Sequence, residues 1–177
     1  MTPSEQQQLL RLARETIVAR VGGSLLPVVE NPSPPLCIRS GCFVTIKRRK
    51  QLRGCIGTFV SEQPLWETVR EMAVSAATHD PRFRPMQVEE LADFQLEISV
   101  LSPLRDITSV DEIEVGTHGL YVIQGAAHGV LLPQVAVEQG WDRETFLRQT
   151  CRKAGLPEDA WRRSCRMLVF TAEIFGE

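Results

Sequence analysis

Residues Cys42-Phe43-Val44-Thr45-Ile46-Lys47 and Leu52-Arg53-Gly54-Cys55-Ile56-Gly57-Thr58 stand on either side of a polar turn, Arg48-Arg49-Lys50-Gln51. The first run is rich in β-branched and aromatic side chains, which suit a pleated, half-buried surface. Two such runs joined by a short charged link predict a β-hairpin. Hairpin strands are antiparallel, and an antiparallel sheet can bury one face while the other stays partly wet.

Further elements follow in both directions from this hairpin. Upstream, Leu9, Leu10, Ala13, Ile17 and Val21 form a helical stripe over 4–20, after a candidate cap at Ser4 and before Gly22-Gly23. The prolines of 31–35 make a loop. Downstream, 64–78 reads as a helix with Leu65, Val69, Met72, Ala73 and Ala76 on one face. His79-Asp80-Pro81 stops it, because a residue before proline is driven out of the α region. A short helix fits 88–92. Phe94–Leu101 alternates as a strand, with Gln95, Glu97 and Ser99 on its polar side. Gly119–Gln124 and His128–Leu132 form a second hairpin, closed by Pro133, and 143–154 makes a helix stopped at Gly155. The chain finishes in one strand, 167–175. Hairpins with helices between them, and no regular βαβ alternation, predict an α+β fold with a mainly antiparallel sheet and flanking helices.

With 177 residues, 43% of them apolar and 24% charged, the chain can bury one real core. It reads as one domain over 1–177, with room for a smaller lobe built from parts of 105–160. A net charge of −2 leaves no electrostatic footprint for nucleic acid. Lys47-Arg48-Arg49-Lys50 is the one basic cluster; without neighbouring aromatics it reads as a solvated hairpin tip. No apolar run approaches the roughly 20 residues that span a bilayer, and the N-terminus has no basic-then-apolar secretory pattern. The expected location is the cytoplasm. The five cysteines include no C-x-x-C pair, so neither a disulfide framework nor a zinc site is expected; with no metal motif or phosphate loop in the chain, no metal or cofactor is expected.

The candidate site centres on Cys55. Glycine weakens a strand and packs nothing, so Gly54 and Gly57 suggest that something comes close to the backbone there. Alternation places Arg53 and Cys55 on one face, Leu52 and Ile56 on the other. A guanidinium near a thiol favours the reactive thiolate. His79 is the candidate base, because its helix starts soon after the Cys55 strand and can fold back over it. Glu97, expected on the same sheet face, would orient His79 or pair with Arg53. Arg53 and Arg82, with Asp80 beside them, could hold a carboxylate or phosphate of a small substrate. The plainer alternatives are a space-filling cysteine, a helix stop at His79-Asp80 and structural ion pairs from Arg53 or Arg82 to Asp80 or Glu97. Both readings stand at this level: a thiol enzyme, or a non-catalytic binding or adaptor module.

Leu52-Arg53-Gly54-Cys55-Ile56-Gly57 closely resembles the signature of the AMMECR1 domain family, also called system protein A of the AmmeMemoRadiSam set. His79-Asp80-Pro81-Arg82-Phe83, Leu96–Leu101 with Pro103, Gly129–Ala136, Trp141-Asp142 and Cys151–Pro157 continue the resemblance in order, over about 5–175. It implies an α+β fold in two unequal lobes, a cytosolic location and association with a Memo-like protein and a radical-SAM protein. It implies no particular reaction.

Overall fold

Two hairpins, each extended by further strands, give two four-stranded antiparallel sheets. A computed structural model describes residues 1–163 and 165–177. In chain order the elements are α1 (Pro3–Gly22), β1 (Cys42–Arg48), β2 (Gln51–Thr58), α2 (Leu65–Thr78), β3 (Phe94–Leu101), β4 (Arg105–Asp106), β5 (Gly119–Gln124), β6 (Ala127–Leu131), α3 (Pro133–Glu138), α4 (Arg143–Lys153), β7 (Arg166–Phe170) and β8 (Ala172–Gly176). They fall into two units, one made of Met1–Leu101 with Glu173–Glu177, the other of Ser102–Ala172. The fold class is α+β, as the hairpin pattern predicts.

The first unit carries the sheet β2-β1-β3-β8. Cys42, Val44 and Ile46 of β1 and Leu96, Ile98 and Val100 of β3 are buried together, as alternation requires. They share a core with Leu9, Ala13 and Ile17 of α1 and Leu65, Val69 and Ala76 of α2. Each large aliphatic side chain buried there contributes about 1.5–3 kcal/mol. Helix α1 is capped by Thr2 rather than Ser4. Thr2 Oγ1 accepts from the Glu5 N–H while Glu5 accepts from the Thr2 N–H, and Pro3 occupies the first turn, where no donor is needed. Gly23, at φ 75°, closes the helix in the left-handed conformation.

The second unit carries the sheet β4-β7-β5-β6. A two-residue turn, Gly125-Ala126, joins β5 to β6. Leu120, Leu131, Phe146, Leu147 and Val169 form its core. The last turn of α4 lies on β6 at Gly129, where a Cβ would stand 2.5 Å from the Ala154 nitrogen.

Two further expectations change. Pro133 does not simply close a hairpin; it opens the short helix α3, its fixed φ serving the first helical position. The single C-terminal strand is two strands in different sheets, β7 beside β5 and β8 beside β3. The break is at Thr171, whose carbonyl accepts from the Ser102 N–H and whose N–H donates to Ser102 Oγ, both at 2.9 Å. With both backbone groups turned to Ser102, the residue leaves the ladder and the chain changes sheets.

Candidate functional site

Thr45 is the centre of the polar sheet face. It pairs with Cys55 on one side and Glu97 on the other, so Cys55 and Glu97 do share a face. Thr45 Oγ1 lies 3.2 Å from Cys55 Sγ as a donor. Two residues along β1, Lys47 Nζ donates to Glu97 Oε2 at 2.8 Å. Cys55 is half-buried, neither sealed in hydrocarbon nor fully exposed.

A β-bulge breaks the simple alternation. Ile46 pairs with Gly54, but Lys47 pairs with Leu52, so Arg53 is the inserted residue. Leu52, not Arg53, stands opposite Lys47. The guanidinium of Arg53 is redirected to Glu90, with Nε to Oε1 at 2.8 Å and Nη2 to Oε2 at 3.0 Å. Both side chains are nearly buried, at 12% and 8% exposure. This bidentate pair, chiefly through the Arg53 hydrogen bonds, pulls the Glu90 carboxyl down to about 2 against the cost of burial.

Strand β2 is a sheet edge, and its outward backbone groups at Cys55 are met by side chains instead of a strand. The Cys55 N–H donates to Asp80 Oδ2 at 2.9 Å, and the Cys55 carbonyl accepts from Arg82 Nη2 at 3.2 Å. Arg82 Nη2 also reaches Asp80 Oδ2 at 2.7 Å, and the Arg82 N–H reaches Oδ1 at 3.1 Å. Asp80 is 4% exposed. The Arg82 guanidinium first, then the backbone donors of Cys55 and Arg82, hold its carboxyl well below the usual carboxylate range despite burial. The turn is available because Pro81 ends α2 at His79. Phe83 has the two guanidinium carbons near its ring, Arg53 at 5.7 Å and Arg82 at 5.6 Å.

Of the residues expected to act together, Arg82, Asp80 and Cys55 meet through the Cys55 backbone, and Glu97 meets Lys47 rather than Arg53 or His79. His79 is exposed, and its Nδ1 lies 3.0 Å from Thr78 Oγ1. Cys55 Sγ has Thr45, not His79, as its hydrogen-bond partner. The close approaches at the glycines come from the protein itself. At Gly54 a Cβ would stand 2.2 Å from the Ala76 carbonyl oxygen of α2, and at Gly57 it would stand 2.3 Å from the Phe43 ring. Thr45, Lys47, Phe83 and Glu90 escaped the sequence reading. Pairing counted from the turn, with Arg48 opposite Gln51, would put Thr45 against Gly54; the bulge shifts it to Cys55.

The profile of the AMMECR1 family matches residues 10–175. The chain belongs to the AMMECR1 family. Protein MK0488 of Methanopyrus kandleri is 42% identical, over 100% of this chain and 90% of its own length. Protein PF1979 of Pyrococcus furiosus is 44% identical, over 96% of this chain and 86% of its own. The crystal structure of the uncharacterized protein PH0010 from Pyrococcus horikoshii superposes with a TM-score of 0.88 at 40% identity, covering 100% of this chain and 93% of that one. Among the described residues of this AMMECR1 chain, no helix is long and apolar enough to cross a membrane. No three His, Cys, Asp or Glu side chains among them converge to hold a metal ion.

Proposed function

We propose that this AMMECR1 chain is a binding component, whose polar sheet face around Cys55 receives a small molecule or an extended segment of a partner. The observation supporting this reading is that the charged groups near the thiol are already matched: Arg53 on Glu90, Arg82 on Asp80, Lys47 on Glu97. Groups so paired make a pre-shaped surface and are poorly placed to shuttle protons. The family resemblance puts a Memo-like protein and a radical-SAM protein forward as the partners, in the cytoplasm.

One contact favours a second reading. Thr45 Oγ1 donates to Cys55 Sγ and holds the half-buried sulfur on the polar sheet face. In that reading the Cys55 thiolate attacks an electrophilic carbon of a small anionic substrate, and His79, released from Thr78, protonates the leaving group. Glu97 would position His79. Arg53 and Arg82 would contact the anion, with Asp80 holding Arg82 in place and Gly54 and Gly57 admitting the Ala76 carbonyl and the Phe43 ring to the strand.

Site-resolved iodoacetamide labelling at pH 7 separates the two. The binding reading expects Cys55 to react no faster than exposed Cys37; labelling roughly tenfold faster would favour the nucleophile. Affinity capture tests the first reading directly. The tagged chain should retain the Memo-like or radical-SAM protein of its own organism, and failure to retain either would sink the partner-segment form of this reading.

A further inference from the structure

The tip of the β1–β2 hairpin departs from ordinary turn chemistry. Its two central residues, Arg49 and Lys50, both have positive φ, 52° and 65°. A two-residue turn with that backbone ordinarily uses Asn-Gly or Asp-Gly, because other side chains crowd the carbonyl in the left-handed region. This chain places two long cations there instead. Strain held at a surface turn is a pointer to function.

The charges around the tip do not balance. Arg48, Arg49 and Arg53 share two carboxylates, Glu90 and Asp93, and Lys50 is a fourth cation at the tip. Arg53 takes Glu90 in a bidentate pair, and Arg48 takes Asp93 through Nε. Arg49 is left with a loose 3.6 Å approach to Asp93 at 80% side-chain exposure, and Lys50 has no partner among the described residues. Beside them lies a cavity of about 230 Å³, lined by Arg48, Arg49, Gln51, Leu52, Arg53 and Glu90. Arg48 and Arg53 in its lining are held by their acids, Arg49 in its lining has only the loose approach to Asp93, and Lys50 stands beside Arg49 outside the lining.

We propose that this hairpin tip is a binding site for a phosphate-type oxyanion, with Arg49 and Lys50 as the closing donors over a floor preset by Arg48 and Arg53. Guanidinium forks match the tetrahedral oxyanion bidentately, and the ammonium supplies a point charge from the adjacent residue. Free phosphate and a phosphomonoester present the same chemistry to the tip. The site does not depend on the role of Cys55, and its test leaves the Cys55 face intact.

The decisive comparison is between the wild-type chain and a double variant, Arg49→Asn with Lys50→Gly, which keeps the turn and removes both cations. Calorimetric titration at constant ionic strength uses inorganic phosphate, glycerol 2-phosphate and acetate. The expected result is saturable one-to-one binding of a phosphate probe by the wild type, and weaker response to acetate. The double variant should bind at least about tenfold more weakly, the loss of one or more charge-assisted hydrogen bonds. Its Tm should equal or exceed that of the wild type, because the strained residues are gone. Stronger binding of inorganic phosphate identifies the free ion, and equal or stronger binding of the ester identifies a phosphorylated metabolite. Non-saturable binding, equal affinity in the variant or a lower variant Tm would each overturn the proposal.

Discussion

Gly54 shows what a single atom decides here. Its missing Cβ leaves room for the Ala76 carbonyl, and backbone cannot step aside as a side-chain tip can. Gly54→Ala should therefore cost about 2–3 kcal/mol or more in urea denaturation, the scale of an overpacked core. An unchanged midpoint would mean that α2 shifts freely. Glu90 makes a second prediction. Its carboxyl sits at about 2 in the folded chain against an ordinary 4.5, so the folded state binds that proton less readily. Its stabilisation is complete above about pH 4.5 and is lost as pH falls toward 2; Asp80, lowered in the same direction, gives way in the acid range too. Glu90→Gln should cost about 3 kcal/mol at pH 7 by leaving Arg53 buried without its countercharge. The variant should also lose less stability than the wild type between pH 4.5 and 3, and parallel pH curves would contradict the assignment. The glycines around Cys55 were legible as sites of close approach. The visitor was not: the helix over 64–78 is expected to fold back over this strand as the carrier of His79, and that its own Ala76 carbonyl fills the gap depends on how closely α2 packs, which 52–57 do not encode.

Among the elements, the strands and the long helices follow their sequence pattern closely, and the departures occur where side chains capture backbone groups. Helix α4 begins where Asp142 Oδ1 accepts the Thr145 N–H at 2.8 Å. Asp142→Ala should destabilise the second unit by about 1 kcal/mol, with a smaller effect for Asp142→Asn, as thermal unfolding can check. The bulge at Arg53 moves Thr45 opposite Cys55 and sends Arg53 to Glu90, reversing the face assignment that strict alternation gave Leu52 and Arg53. Thr171 does the same at the other end of the chain, where its bonds to Ser102 divide one apparent strand into β7 and β8. Period-two patterning cannot register either event, since both depend on partners distant in sequence.

For the whole molecule, the consequence of that division is that the chain leaves the first unit after Leu101 and re-enters it at Glu173. The returning strand is tied down by side chains of α1: Gln6 donates to Glu173 at 2.8 Å, and Arg14 pairs with Glu177. Truncation after Thr171 should therefore lower amide-exchange protection in β3 and α1 while leaving β5 and β7 protected. Equal loss in both units would show that they unfold as one. By itself the sequence determined the α+β class, most spans of the main strands and helices and the apolar faces of α1 and α2, since these rest on local propensity and on periodicity within one element; the family it determined through ordered motifs instead, from Leu52 to Pro157. Only the tertiary structure decided that Asp80 and Arg82 stand in for a missing strand at Cys55, that Glu90 takes Arg53, and that β7 and β8 serve different sheets. Those are choices of partner, and hydrogen-bonding groups far apart in the chain select one another only after packing has brought them within about 3 Å.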